Sequence, residues 1–274
     1  MTIKDILVHV DRRATCAERL AAAVELARRF DAHLTGLYVI PRLDLFIFAE
    51  MPVPPEILAE QEAELRKEAA QAEAEFKRIT AQAGCAATWR CLEGDAVNHI
   101  NAEARHTDLI VLSKAEAAGM LSRDALIHYE IIISAGRPVL FIPYSGIGAS
   151  ICKRVLVAWN GSREAVRAVN DAIPVLAQAD KVEVLAVNPP SAEGDIPSAA
   201  ICLHLARHGV KAEASETVAE DVDVGALVLA RVADHGFDLI VMGAYGHTRL
   251  RETILGGVTH HLLRHMPVPV LMSH

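Results

Sequence analysis

Three observations predict an α/β protein of two repeated domains, each an open, doubly wound sheet of five parallel strands with helices on both faces. The chain repeats its own order of motifs. Its strands read as short apolar runs without polar alternation, the pattern of strands buried on both faces. Helical segments separate those runs. A length of 274 residues agrees with two domains at roughly 150 residues each.

The repeat is direct. Ile6-Leu7-Val8-His9-Val10-Asp11 matches Val155-Leu156-Val157-Ala158-Trp159-Asn160. Asp108-Leu109-Ile110-Val111-Leu112 matches Asp238-Leu239-Ile240-Val241-Met242. Arg137-Pro138-Val139-Leu140-Phe141-Ile142 matches Val268-Pro269-Val270-Leu271-Met272. The first pair is 149 residues apart (6 to 155) and the second 130 (108 to 238), so the first half holds about 19 more residues between them. The turn-rich stretch Tyr144–Ser150 divides the domains, which are expected at 1–145 and 151–274.

In chain order, strands are predicted near 4–10, 33–39, 86–91, 108–112 and 138–142. A helix is predicted over 56–82, entered by Pro54-Pro55 and closed by Gly84. Leu58, Leu65, Ala72, Phe76 and Ile79 form its expected buried stripe. In the second half, strands are predicted near 154–159, 181–187, 211–217, 238–242 and 268–272. Helices are predicted near 163–178, 197–208, 224–235 and 257–265. Short right-handed crossovers then wind each half on both sides of its sheet.

Composition narrows the function. Hydrophobic residues make up 52% and charged residues 23%, as in a globular protein. Aromatics are only 4% and the formal net charge is -8, which disfavours base stacking and general nucleic-acid binding. A local site for one small anion remains compatible with that charge. Five cysteines, at 16, 85, 91, 152 and 202, show no CxxC spacing, which fits a reducing compartment. No signal-peptide pattern opens the sequence, and no apolar stretch approaches the roughly 20 residues of a membrane span. The expectation is a cytoplasmic protein without membrane or nucleic-acid partners.

The strand at 238–242 runs into Gly243-Ala244-Tyr245-Gly246, and Gly256-Gly257-Val258-Thr259 follows before the last helix. Gly243 and Gly246 permit a turn that brings backbone N–H groups close to an anion. Gly256 and Gly257 open the final helix, whose first N–H groups lack intrahelical partners and carry the positive end of its dipole. Two such elements at the carboxyl end of a parallel sheet make a phosphate site. On spacing alone, turn punctuation explains the same glycines.

Gly-x2-Gly-x9-Gly, placed between Asp238–Met242 and Pro267-Val268-Pro269-Val270-Leu271, resembles the nucleotide-binding signature of the universal stress protein family. Both first strands, Ile6–Asp11 and Val155–Ser162, are similar to the start of such a domain. The resemblance covers essentially the whole chain as two domains in tandem. It implies a five-stranded parallel α/β fold and binding of ATP or another adenine nucleotide, with magnesium as an accompanying ion. Carried onto this chain, it implies that Gly243, Gly246, Gly256, Gly257 and Val258 hold phosphates and ribose through backbone groups. Ala158, Val187 and Met242 would line the adenine pocket. It also implies an intrachain pseudo-dimer in which Pro138–Ile142 pairs with Pro269–Met272, with a homodimer as a further assembly.

Two departures bear on the site. Gly257 stands where the family usually has Ser or Thr, so one hydroxyl donor is lost. Thr259 either compensates or caps the helix. Asn160 stands where the first strand usually ends in Asp. It can bond a ribose hydroxyl, but it is a poorer magnesium ligand. Weaker or metal-poor binding follows, with at most slow ATP hydrolysis. In the first half the signature positions fall on Ser113, Glu116 and Leu126, so every glycine is gone while Asp11 is kept. That half is expected to have lost nucleotide binding and to serve as a structural or regulatory partner, or to take a different ligand through Ser113 and Lys114. A nucleotide-free interaction or scaffold protein, with a metal or small metabolite bound, is the alternative for the whole chain.

Other features are weaker. His261 and His265 share a helix face but show no third ligand nearby in sequence, with His247 or His274 as the candidates to approach; His204 and His208 also share a face, which Cys202 and His204 do not. His247 and Glu252 are the ambiguous candidates for a general base beside the glycines. Leu45-Phe46-Ile47-Phe48 and the Met51–Pro55 stretch read as a lid, a docking surface, or packing under the long helix. Cys16 and Cys85 read as small core residues. No G-x-S-x-G elbow, Walker lysine or dinucleotide fingerprint occurs.

Overall fold

The computed structural model describes residues 2–42, 54–114, 123–148, 150–189, 198–218, 223–246 and 257–274. Leu45–Phe48 and Met51–Val53 lie outside these residues. The first half comprises β1 (Asp5–Val10), α1 (Cys16–Phe30), β2 (His33–Ile40), α2 (Pro55–Ala83), β3 (Ala87–Glu93), α3 (Ala96–Ala104), β4 (Leu109–Ser113), α4 (Arg123–Ser134) and β5 (Val139–Ile142). The second comprises β6 (Arg154–Trp159), α5 (Arg163–Leu176), β7 (Lys181–Val187), α6 (Ala199–Arg207), β8 (Ala212–Thr217), α7 (Val224–His235), β9 (Leu239–Gly243), α8 (Gly257–His265) and β10 (Val270–Ser273). Every predicted strand is present, with no end shifted by more than two residues. In the first half, α1, α3 and α4 join the one helix that the sequence reading bounds.

The two halves share one ten-stranded sheet in the order β3-β2-β1-β4-β5-β10-β9-β6-β7-β8. All neighbours are parallel except β5 and β10, which run antiparallel with Phe141 opposite Val270 and Val139 opposite Met272. Each half is therefore a five-stranded parallel unit, and the expected seam between them is formed. It consumes two sheet edges that would otherwise expose unpaired N–H and C=O groups.

Successive strand residues point to opposite faces, and two apolar layers result. Val8, Val155 and Val157 pack under α1, α2, α5 and α6, together with Leu20, Phe76, Val169 and Leu205. Leu7 and Leu156 pack under α3, α4, α7 and α8, with Ile100, Ile131, Val232 and Leu262. On α2, Phe76 is buried and Leu58, Leu65, Ala72 and Ile79 are half-buried, so the predicted stripe faces the sheet while the first turns stay open.

The duplication extends to single hydrogen bonds. The Asp108 carboxylate accepts from the N–H groups of Lys4 (2.8 Å) and Asp5 (3.1 Å). Asp238 does the same for Lys153 and Arg154, each at 2.9 Å. Arg29 ties the halves together: its guanidinium donates to the carbonyls of Ile151 (2.7 Å) and Gln178 (2.8 Å).

The described cysteines are all free thiols. Cys152 is buried in the layer beside Arg29, and burial pushes its thiol up to about 12. The thiolate is the reactive form. Treatment of the native protein with a thiol reagent at pH 8, followed by peptide mass mapping, is expected to modify exposed Cys91 first and Cys152 only under denaturant. No described helix is long and apolar enough to cross a membrane.

Candidate functional site

The carboxyl ends of β6, β7 and β9 meet on the layer covered by α7 and α8. Ala158 is in register with Met242 across the β6–β9 ladder. Met242, Ala244 and Tyr245 are buried there, and Ala158, Val187 and Val258 pack against the same cluster. The structure thus brings together the residues expected to line an adenine pocket. Gly256 lies outside the described residues, as do His247 and Glu252.

The loop after β9 is held from both sides. The Ala244 N–H donates to the Ser273 carbonyl (2.9 Å), and the Ala244 carbonyl accepts from the His274 ring (3.0 Å). The Tyr245 N–H donates to the Thr259 hydroxyl at 3.4 Å, so Thr259 links the loop to α8. Tyr245 sits at φ 57°, unusual for a bulky residue, and its ring meets Tyr129 of α4 edge-on at 4.9 Å.

The glycines do more than turn the chain. A Cβ on Gly243 would lie 2.4 Å from the backbone N of Ala165 and 2.5 Å from the carbonyl carbon of Glu164. The first turn of α5 therefore rests directly on this residue. Gly246 has φ 71°, and a Cβ there would lie 2.8 Å from a Glu164 carboxylate oxygen. Among the described residues nothing stands within 4 Å of where a Cβ on Gly257 would be, and Gly257 itself is exposed.

Asn160 makes a local turn, its side-chain oxygen accepting from the Ser162 N–H at 3.1 Å. The Ser162 hydroxyl then caps α5 by accepting from Ala165 N–H (3.2 Å). Glu164 is a residue that the sequence reading missed. Its only signal was an acid in the first turn of a capped helix. Burial raises its carboxyl, but hydrogen bonds from its own backbone, the Arg163 guanidinium and the Ser162 hydroxyl outweigh that and hold it below the usual range. A negative charge thus borders the Gly246 turn.

The same corner of the first domain is built differently. Asp11 makes the equivalent turn with the Arg13 N–H (3.1 Å), but it also accepts from the Arg19 guanidinium at 2.8 Å. Ser113 stands at the end of β4, where β9 has Gly243, and Glu116 is outside the described residues. Of the histidines, His261 lies 3.0 Å from the Asp223 carboxylate that caps α7. Among the described residues, no group of three His, Cys, Asp or Glu side chains is placed to hold a metal.

The universal stress protein family profile matches residues 2–126 and 152–274. A universal stress protein from Archaeoglobus fulgidus DSM 4304 has a similar structure, with TM-score 0.77 and 19% identity over 98% of this chain and 96% of that one. One from Pseudomonas aeruginosa UCBPP-PA14 gives TM-score 0.60 at 17% identity, covering 99% and 93%. A curated universal stress protein of Synechocystis sp. is 45% identical over 38 residues, which span 14% of this chain and 13% of that relative. A single-domain-length match, from Archaeoglobus fulgidus, was solved in complex with dAMP. It is 20% identical, with TM-score 0.35, over 52% of this chain and 98% of that one.

Proposed function

We propose, because this chain belongs to the universal stress protein family through both of its halves, that its second domain binds an adenine nucleotide and acts as a nucleotide-dependent stress-response module. The carrying observation is that the exposed residue Gly257 begins α8, which the Tyr245 N–H to Thr259 hydroxyl bond ties to the loop after β9. The first N–H groups of α8 lack intrahelical partners and favour an anion. Gly246, Gly256, Gly257 and Val258 would hold phosphate and ribose by backbone groups, with Thr259 supporting the loop. Ala158, Val187 and Met242 would contact the base, and Asn160 the ribose. Magnesium would accompany ATP only weakly, and hydrolysis would be slow at most. Free cysteines support a cytoplasmic location, and a homodimer of the whole chain is the further assembly.

Titration of the full chain with ATP by calorimetry tests this reading. Gly257→Ser restores the hydroxyl at an exposed position and is expected to tighten binding about tenfold, the worth of one hydrogen bond to a charged group. Gly257→Glu is expected to abolish it. No saturable binding of ATP or AMP up to millimolar concentration would overturn the proposal.

Glu164 favours the second reading, a nucleotide-free interaction protein, because its charge opposes phosphates at the Gly246 turn. The two readings part on Glu164→Gln. A nucleotide site is expected to bind ATP several-fold more tightly once that charge is removed. A scaffold would show no response.

A further inference from the structure

The loop after β9 touches the first domain as well as its own. Tyr245 is buried, and its ring meets Tyr129 of α4 edge-on, with centroids 4.9 Å apart and planes at 78°. An edge-to-face arrangement is a favoured one for an aromatic pair. Burial and the neighbouring Tyr129 phenol push the Tyr245 phenol up, so the contact joins two uncharged rings. The helix that supplies Tyr129 is fixed at the seam. The ring of His128, the preceding residue, meets Phe141 of β5 edge-on at 5.1 Å, and Phe141 lies opposite Val270 of β10.

A bulky residue in the left-handed region persists only where its surroundings hold it. Three ties hold Tyr245 at φ 57°. Its N–H donates to the Thr259 hydroxyl, the preceding Ala244 is bonded by Ser273 and His274, and its ring rests on Tyr129. Of these ties, only the ring contact comes from the first domain. The peptide plane that follows carries the N–H of Gly246, so the backbone angles at Tyr245 set where that N–H points.

The repeat lacks this ring. By the 130-residue offset between β4 and β9, the residue equivalent to Tyr245 is Ala115. The aromatic contact therefore belongs to the half that keeps Gly243 and Gly246, and is not a general feature of the seam.

We propose that Tyr129 is a positioning residue of the second domain's nucleotide site: acting from the first domain through the Tyr245 ring, it holds the Gly246 N–H toward phosphate. This rests on the nucleotide reading above, and it gives the half without glycines a part in that site. By linkage, a nucleotide that prefers the held loop also strengthens the ring contact.

The test is calorimetric titration of full-length variants with ATP. Tyr129→Ala is expected to weaken ATP binding about fivefold, the worth of an edge-to-face ring pair. Tyr129→Phe keeps the ring and is expected to stay within about twofold of wild type. Leu20→Ala hollows the layer on the other face of the sheet, and is expected to lower the urea midpoint while leaving ATP affinity unchanged. In the wild-type chain, ATP is expected to slow amide exchange in α4 about threefold or more, a readout that stands even if Tyr129→Ala misfolds. No ATP binding by the wild type would overturn the nucleotide reading and this inference with it. With ATP bound by the wild type, four results would each overturn this inference alone: unchanged affinity in Tyr129→Ala, an equal loss in Tyr129→Phe, an equal loss in Leu20→Ala, or unchanged exchange in α4.

Discussion

Gly243→Ala is expected to destabilise the protein by about 3 kcal/mol, at the upper end of the usual cost of overpacking. The added methyl meets the Ala165 nitrogen at 2.4 Å and the Glu164 carbonyl carbon at 2.5 Å. Both are backbone atoms, so no rotamer change relieves the overlap, and α5 must move away from β9. That helix contributes Ala168, Val169, Ala172, Val175 and Leu176 to the layer under the sheet. Urea denaturation of the wild type and the variant measures the loss. Gly257→Ala is the control: its methyl meets nothing within 4 Å among the described residues, and stability is expected to change by less than about 0.5 kcal/mol. Equal stability of the two variants would mean that α5 does not rest on Gly243.

Tyr245→Ala is expected to cost about 3–4 kcal/mol, in the range for removing a buried aromatic ring. The ring is buried and packs edge-on against Tyr129 across the junction of the two halves. Part of the loss belongs to that pair. A double-mutant cycle with Tyr129→Ala is expected to give a coupling of about 1 kcal/mol. The backbone adds a further signature. At φ 57°, an alanine keeps the cost of left-handed geometry, whereas Tyr245→Gly relieves it. The glycine variant is therefore expected to be about 1 kcal/mol more stable than the alanine variant. A glycine variant less stable than the alanine one would refute the left-handed backbone at this position.

The strands were legible because a parallel sheet covered on both faces leaves uninterrupted apolar runs, and Leu109–Ser113 and Leu239–Gly243 are such runs. The long α2 was legible from its prolines, its stripe and Gly84. Nine-residue α3 spans too few turns to repeat a stripe, so it left little trace. Within the candidate site, Ala158, Val187, Met242, Gly243 and Gly246 could be placed from strand ends and turns. Glu164 could not, because its approach to Gly246 depends on how α5 sits on β9. Arg19 and Ser113 are 94 residues apart. No local pattern foretells that a buried arginine on one helix will meet the end of another strand.

The antiparallel junction of β5 with β10 lies inside one polypeptide, and this changes what it can tolerate. Between separate chains, a four-residue strand pairing would come apart on dilution. Here the connection through Tyr144–Ser150 acts as a tether, holding the two edges at an effective concentration of about millimolar however scarce the protein is. A symmetric pair of identical subunits must also carry every substitution twice. In the fused pair a change is carried once, so Arg19 and Ser113 can occupy one half while Ala168 and Gly243 persist in the other. The tether is what permits two unlike strand-end corners under one pseudo-symmetric sheet.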